Sequence, residues 1–200
     1  MSNAGGGPAK GMLVVVSGPS GSGKTTIVQA LLERLPVRRS VSATTRPIRE
    51  GEVNGKNYYF LSRKEFEDRV AQGGFLEYAE YAGQLYGTPR APAEQALGRG
   101  ETFILEIEVR GARIVRKAFP EALTIFIRPP GLEEAERRLR DRHRGESEPE
   151  IQRRMEIARR EMACAGEFDH QVVNDDLETA IGETAQIITD AWKQRRDVSQ

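Results

Sequence analysis

The sequence MLVVVSGPSGSGKTT, residues 12–26, joins a short apolar run to a glycine-rich turn, and this stretch decides the fold. The run from Met12 to Val16 is continuously apolar and rich in β-branched residues, which predicts a buried strand. The segment TTIVQALLERL carries apolar residues at helical spacing and stops before Pro36, which predicts a helix. A buried strand followed by a helix predicts the first βα unit of a parallel sheet.

The turn between this strand and this helix matches the pattern GxxxxGK[ST] in the context that the motif requires. Its glycines allow successive backbone N–H groups to face one concavity, toward which the helix directs its partial positive end, so the turn is expected to bind phosphate. Lys24 is expected to reach the β- and γ-phosphates of a nucleoside triphosphate, and the Thr25 hydroxyl to coordinate Mg²⁺. A mere tight turn would need neither side chain. The predicted ATP-binding residues of this loop are Gly18, Pro19, Ser20, Gly21, Ser22, Gly23, Lys24, Thr25 and Thr26.

Length and charge restrict the classes of protein and partner. The chain has 200 residues, enough for one domain with inserted lobes, and its 30 basic residues equal its 30 acidic residues. We therefore expect no nucleic-acid or membrane partner, and the sequence makes no prediction of an oligomeric state. One cysteine and the lack of a signal peptide or long apolar run favour the cytoplasm. Residues 1–10 are interpreted as a cloning remnant and flexible leader.

The rest of the chain alternates between predicted strands and helices, with two interruptions. We expect residues 11–40, 93–130 and 167–200 to form an α/β core with a parallel sheet. Residues 41–92 contain turn signals, short strands and a short helix, which predicts an inserted α+β lobe. Residues 131–166 are densely charged and are interrupted by GESEP, which predicts two exposed helices around a mobile loop, as in a lid.

Five blocks of sequence, in the same order, resemble the guanylate kinases. After the phosphate-binding turn come SVSATTRPIREGEVNGKNYYF, FLEYAEYAGQLYGT, LEIEVRGA, an arginine-rich lid and VVNDDL. The resemblance covers nearly the whole chain, from Met12 to Trp192. It implies the P-loop nucleoside monophosphate kinase fold, with a GMP-binding lobe and a helical lid. The implied activity is transfer of the γ-phosphoryl group of ATP to GMP, and to dGMP, with Mg²⁺ required.

The resemblance also implies which residues bind the acceptor. Arg46 and Arg49 are expected to clamp the phosphate of GMP, to which Tyr58 and Tyr86 would donate phenolic hydrogen bonds. Guanine, unlike adenine, presents an N1–H and a 2-amino donor on one edge, and carboxylates can accept from both. The implied base-binding residues are Ser42, Glu77, Thr88 and Glu108.

The chain departs from the family pattern in the block LEIEVRGA. Guanylate kinases usually have aspartate at the position of Glu108, and glutamine where this chain has Arg110. The extra methylene of Glu108 moves its carboxylate by about 1.5 Å, roughly one bond length. Base recognition is therefore expected to depart further from the family's geometry than phosphate recognition does.

The lid is expected to supply cations to the transition state and to exclude water. By the family pattern, Arg138 and either Arg142 or Arg144 would contact the donor phosphates, and Arg154 would span donor and acceptor. The lid loop is one residue longer than usual, so the choice between Arg142, named here as the candidate, and Arg144 stays open. Asn174 would contact the adenine of ATP. No general base is needed, because the acceptor phosphate has a second pKa near ~6 and is mostly dianionic at neutral pH.

Two alternatives to this function exist. A guanylate-kinase-like interaction module would bind phosphorylated peptide, but such a module needs neither the intact P-loop nor the lid arginines. A related kinase would phosphorylate a ribose bisphosphate, but it would not need the base-reading residues Ser42, Glu77 and Thr88.

Overall fold

The computed structural model describes residues 11–141 and 147–198. The predicted leader at residues 1–10 and the predicted lid arginines Arg142 and Arg144 lie outside these residues. The described strands are β1 Met12–Ser17, β2 Val37–Arg39, β3 Ala43–Thr44, β4 Tyr59–Phe60, β5 Phe75–Tyr81, β6 Gln84–Pro89, β7 Thr102–Glu106, β8 Leu123–Arg128 and β9 His170–Val173. The described helices are α1 Lys24–Arg34, α2 Arg63–Ala71, α3 Arg90–Gly98, α4 Val109–Ala118, α5 Leu132–Asp141, α6 Glu148–Met162 and α7 Leu177–Val198.

The core is a parallel sheet whose described strands run in the order β2-β7-β1-β8-β9. Strand β1 lies at its centre and is buried on both faces. Val14 and Val16 pack into a cluster with residues of α1 and α7, whereas Leu13 and Val15 pack into a cluster with residues of α3 and α4. A strand covered on both faces must be apolar at every position, which accounts for its unbroken run of hydrophobic residues. The predicted α/β fold class is confirmed.

A second sheet, in the order β4-β3-β6-β5, is formed by the segment inserted after β2. Strands β5 and β6 form an antiparallel hairpin that the sequence did not predict. Ala82 and Gly83 make its two-residue turn, both with positive φ, of 51° and 83°. Helix α2 covers one face of this sheet, where the ring of Phe66 stacks on that of Phe75 with centroids 4.5 Å apart.

Helices α5 and α6 form the predicted charged helix pair. Ala135 and Leu139 of α5 pack against Ile151 and Met155 of α6, and most of the remaining positions carry exposed charges. Helix α6 begins with a capping box, in which Glu150 accepts a hydrogen bond from the backbone N–H of Ser147 at 2.8 Å.

The topology places the phosphate-binding turn where ligands bind in open α/β sheets. The chain leaves β1 toward β2 and β7 on one side and adds β8 and β9 on the other, so the direction of winding reverses at β1. The crevice at the carboxyl end of such a strand is the usual ligand site, and residues 18–23 occupy it. Across the described ranges, no helix is both long and apolar enough to cross a bilayer.

Candidate active site

One cavity of about 490 Å³ lies between the phosphate-binding turn, the second sheet and helix α6. It brings together most of the residues predicted from the sequence to bind the two nucleotides. Those that line it are Pro19, Ser20, Gly21, Ser22, Gly23, Lys24, Thr25, Ser42, Arg46, Arg49, Tyr58, Glu77, Tyr86, Glu108 and Arg154. The cavity therefore joins a predicted triphosphate site to a predicted monophosphate site without a wall between them.

The backbone of the phosphate-binding turn depends on its glycines. Gly18, Gly21 and Gly23 have φ values of 142°, 81° and 90°, which favour glycine strongly. A Cβ atom at Gly18 would also overlap the carbonyl oxygen of Ile127 in the neighbouring strand β8. Glycine at position 18 therefore lets the turn pass close to the backbone of β8.

Lys24 is held over this turn. It is only 9% exposed, and its Nζ donates hydrogen bonds to the carbonyl oxygens of Gly18 and of Pro19, the latter at 3.2 Å. The same Nζ lies 3.7 Å from Oε2 of Glu108. The ammonium group is thus fixed beside the concavity that would hold the donor phosphates.

Glu106, which the sequence analysis did not single out, contacts Thr25, the predicted magnesium ligand. The Thr25 hydroxyl donates to Oε1 of Glu106 at 2.5 Å, and Arg39 lies 3.7 Å from the other carboxylate oxygen. Glu106 ends strand β7, the direct neighbour of β1, so a carboxylate at the end of this strand was the signal available in the sequence. A hydroxyl and a carboxylate are hard oxygen donors of the kind that Mg²⁺ uses together with phosphates.

The donor set is consistent with a cation held chiefly by substrate. Within residues 11–141 and 147–198, no group of three or more His, Cys, Asp or Glu side chains is placed to hold a metal ion. Mg²⁺ is usually bound by one or two protein groups plus substrate phosphates, rather than by a protein cage. Thr25 and Glu106 therefore fit Mg²⁺ that arrives with a nucleotide.

The predicted acceptor-phosphate arginines are organised by Glu52, another residue that the sequence analysis missed. Arg46 donates to both oxygens of Glu52, at 2.8 and 3.0 Å, and the backbone N–H of Arg49 donates to one of them at 2.9 Å. Burial alone would raise the pKa of Glu52, but these hydrogen bonds outweigh it and hold the pKa below its ordinary value. The carboxylate is therefore ionised and fixes the loop between the two arginines.

Aromatic rings complete this corner of the cavity. The guanidinium carbon of Arg46 lies 5.6 Å from the ring centroid of Tyr58 and 5.5 Å from that of Phe60. Tyr58 also meets Tyr86 edge to face, with centroids 6.0 Å apart. Burial raises the pKa of Tyr58 further above neutrality, so its phenol stays protonated and can donate a hydrogen bond to a phosphate oxygen.

Glu77 also lines the cavity and is 5% exposed. The hairpin pairs Glu77 of β5 with Thr88 of β6, and the Thr88 hydroxyl donates to Oε1 of Glu77 at 2.7 Å. Burial raises the pKa of Glu77, against the hydrogen bonds from Thr88. Thr88 is fully buried and does not line the cavity, so in this structure its hydroxyl orients the carboxylate.

Gly111 of helix α4 makes room for the Glu77 carboxylate. A Cβ atom at Gly111 would lie 2.7 Å from Oε2 of Glu77 and 3.2 Å from its Cδ. For the substrates that the sequence resemblance implies, Gly111→Ala is therefore expected to displace the carboxylate and to raise the KM for GMP about tenfold, with little change in the KM for ATP. Steady-state kinetics with each nucleotide varied in turn measures both constants.

Gly98→Ala is the matched control, because Gly98 is also helical and a Cβ atom there would meet nothing within 4 Å. If Gly111→Ala matched this control in its KM for GMP, Glu77 would not need the space that Gly111 leaves.

Glu108 is paired with a second buried carboxyl group, that of Glu161 in α6. Glu161 is 7% exposed, and its carboxyl group is within hydrogen-bonding reach of that of Glu108. Burial, and then the charge of Glu108, raise the pKa of Glu161 to about 9, although Lys24 opposes the shift. Glu161 is therefore protonated at neutral pH.

This retained proton predicts a pH dependence of stability. Unfolded Glu161 loses its proton near pH 4.5, whereas the folded protein keeps it to about 9. Between these values the unfolded state binds fewer protons, so the free energy of unfolding falls as pH rises, by up to about 1.4 kcal/mol per pH unit. Glu161→Gln, which has no proton to lose, is expected to show a shallower fall.

Denaturant unfolding of both proteins from pH 5 to pH 8 measures this difference, because their other ionisable groups are shared. The groups that face Glu161 and could alter the slope are Glu108, Lys24, Tyr81 and Cys164. Parallel curves for the two proteins would show that Glu161 does not retain its proton.

Arg154 of α6 reaches the phosphate-binding turn. Its Nε and Nη2 lie 3.3 and 3.0 Å from Oγ of Ser20, which also hydrogen-bonds the Tyr81 hydroxyl at 3.0 Å. Ser20 therefore joins the turn, the second sheet and the lid helix at one point. Tyr81 carried no signal in the sequence analysis.

Arg138 and Asn174 lie together behind the turn and do not line the cavity. Nδ2 of Asn174 donates to the carbonyl of Ser22 at 2.8 Å, and Nη2 of Arg138 donates to the carbonyl of Asn174 at 3.0 Å. Gly18 and Thr26 also belong to the turn and the first turn of α1 without lining the cavity. Asn174, predicted to contact the adenine, and Arg138, predicted to be a lid arginine, are thus adjacent to each other and to Ser22 of the turn.

Comparison with known proteins identifies the family. The protein-family model for guanylate kinase matches residues 10–191. The chain is 53% identical over 175 residues to a guanylate kinase of Nostoc sp., covering 87% of each chain. It is 53% identical over 180 residues to one of Rubrobacter xylanophilus, covering 90% of this chain and 94% of that relative.

A solved structure agrees with these relatives. The crystal structure of guanylate kinase from Anaplasma phagocytophilum superposes with a TM-score of 0.72 at 33% identity, covering 93% of this chain and 86% of that one. The chain belongs to the guanylate kinase family.

Proposed function

We propose that this protein transfers the γ-phosphoryl group of ATP to GMP, and to dGMP, giving ADP and GDP. The observation that carries the proposal is that a single cavity is lined both by the phosphate-binding turn and by Glu77, Arg46 and Arg49. Two nucleotides bound at its ends would meet through their phosphates. That is the arrangement that phosphoryl transfer requires.

The donor end binds the triphosphate. Backbone N–H groups of the glycine-rich turn and the amino end of α1 would face the β- and γ-phosphates, and Lys24 would add a fixed positive charge. Thr25 and Glu106 would hold Mg²⁺, which neutralises charge on the phosphates when bound. Asn174 donates a hydrogen bond to the loop, and Arg138 donates one to Asn174. Asn174 would contact the adenine, and Arg138 the donor phosphates.

The acceptor end, formed by the lobe of residues 41–92 with Glu108, selects GMP. Arg46 and Arg49 clamp its phosphate, and Tyr58 and Tyr86 donate hydrogen bonds to it. Glu77 and Glu108 accept from the N1–H and 2-amino groups of guanine, and Ser42 adds a hydroxyl. Adenine has neither donor, so these acceptors would remain buried and unpaired beside it.

Arg154 lies where the two phosphates would meet, between Ser20 of the donor loop and the cavity. A guanidinium there stabilises the charge that spreads over the transferred phosphoryl group. Closure of α5 and α6 over the substrates excludes water and so suppresses hydrolysis of ATP. Arg142 is proposed as a further donor contact, with Arg144 as the alternative.

The experiment that tests this function is a screen of acceptors. Each nucleoside monophosphate is offered with MgATP, and formation of ADP and of the diphosphate is measured. GMP and dGMP are expected to be used with a kcat/KM at least about a hundredfold above that of AMP or CMP. Equal use of these acceptors, or release of ADP without a monophosphate, would refute the proposal.

Nucleotide substrates and a single unpaired cysteine favour the cytoplasm as the site of this reaction.

A further inference from the structure

Glu161 is a buried ionisable residue that the proposed mechanism does not use. It lies near the carboxyl end of α6, next to Met162, which packs against an apolar cluster of Val109, Phe126 and Ala165. It does not line the cavity, so it cannot touch either nucleotide directly. An acidic side chain in such surroundings is unfavourable unless it has a partner.

The partner of Glu161 is Glu108. Each residue has one carboxyl oxygen, Oε2, that is buried and that receives no conventional hydrogen bond from any described residue. The two carboxyl groups lie close enough to interact, and the backbone N–H of Val109 lies near Glu161. A proton shared between the two carboxyl groups satisfies both, since a protonated carboxyl group donates one hydrogen bond and a carboxylate accepts it.

The direction of this hydrogen bond follows from the charges around the pair. Lys24 lies 3.7 Å from Glu108, and the Glu108 side chain is 30% exposed, so Glu108 is the member stabilised as a carboxylate. Glu161 is enclosed and therefore carries the proton. Glu108 is thus held from one side by an ammonium group and from the other by an acid.

The longer side chain at position 108 fits this arrangement. Glu108 precedes the first residue of α4, and its carboxylate lines the cavity that would hold guanine. A flexible glutamate has more rotamers to lose than an aspartate, so its carboxylate needs partners to hold it in one place. Glu161 and Lys24 provide those partners.

We propose that Glu161 is a positioning residue for guanine recognition, and that as a carboxylic acid it donates a hydrogen bond to Glu108. The pair also connects recognition to the lid. Arg154 and Glu161 are two turns apart on one face of α6, about 10 Å along the axis, so one rigid helix contacts both the donor loop and the base-reading carboxylate. This inference rests on the proposed function.

A matched pair of variants tests it. Glu161→Met keeps the length and approximate volume of the side chain but cannot donate a hydrogen bond, whereas Glu161→Gln keeps a donor in place of the acid. Glu161→Met is expected to raise the KM for GMP about tenfold, to change the KM for ATP less than about twofold and to reduce the preference for GMP over IMP. IMP lacks the 2-amino group of guanine. Glu161→Gln is expected to stay within about twofold of the wild type in all three measurements.

Three results would overturn the inference: a KM for GMP in Glu161→Met that equals the wild-type value, equal rises in the two KM values, or a loss in Glu161→Gln as large as in Glu161→Met. Glu161→Asp, which withdraws the carboxyl group by one methylene, replaces Glu161→Met if the latter does not fold, and the same outcomes apply. The activity of the wild-type protein toward GMP is measured first. Its absence would refute the proposed function, not this inference alone.

Discussion

Replacement of Lys24 by methionine is expected to lower kcat for GMP phosphorylation about a thousandfold. The ammonium group is buried, and carbonyl oxygens of the phosphate-binding turn hold it beside the donor phosphates. Methionine keeps the unbranched apolar stem but removes the charge. Because charge on the transferred group is greatest in the transition state, the loss should fall chiefly on kcat. A coupled assay of ADP formation at saturating MgATP and GMP measures it.

Lys64→Met is the control for this prediction. Lys64 lies on α2, is 84% exposed and pairs with Asp68 one turn along the helix. Its loss is expected to leave kcat unchanged, since exposed pairs contribute little. Circular dichroism of both variants establishes that they are folded. If Lys24→Met turned over at the wild-type rate, the role assigned to the ammonium group would be wrong.

The second large effect is expected from Glu77→Gln, which should lower kcat/KM for GMP about a hundredfold and leave the affinity for ATP nearly unchanged. The carboxylate offers two acceptor oxygens to the two donors of guanine. Glutamine offers one oxygen, and its amide N–H would face a guanine donor and leave it unpaired. Kinetics with GMP varied, together with titration of ATP in the absence of GMP, separates the two affinities.

Glu80→Gln provides a matched control on the same strand. Glu80 follows Glu77 on β5, but it is exposed, so the same chemical change there should have little effect on either nucleotide. Equal losses of GMP and ATP affinity in Glu77→Gln would mean that the substitution disturbs the whole cavity and that Glu77 does not recognise the base.

Much of the fold follows from local sequence. The buried strand β1, the turn after it and helix α1 are each predicted by a run of residues whose pattern has one structural interpretation. The hairpin of β5 and β6 was missed because its turn is Ala82-Gly83, whereas asparagine before glycine is the usual signal for two residues with positive φ. Strands β2 and β3 are three and two residues long, too short for any periodicity to be visible.

The residues predicted to touch nucleotides can be recognised in the sequence, whereas the residues that support them cannot. Lys24, Arg46 and Glu77 lie in motifs whose residue types match the chemistry of a phosphate or a base. Gly111 leaves space for Glu77, and Glu161 lies against Glu108. Both relations arise only from packing between elements that are distant in the chain. No local pattern marks such residues, because their partners are set by the tertiary structure.

A crystal structure of the protein with GMP, Mg²⁺ and a non-hydrolysable ATP analogue tests the central claim most directly. The account predicts guanine against Glu77 and Glu108, its phosphate against Arg46 and Arg49, and the triphosphate in the turn of residues 18–25, with the terminal phosphate in line with the acceptor oxygen. A lobe that stays empty, or that binds GMP with its base turned away from Glu77, would contradict it.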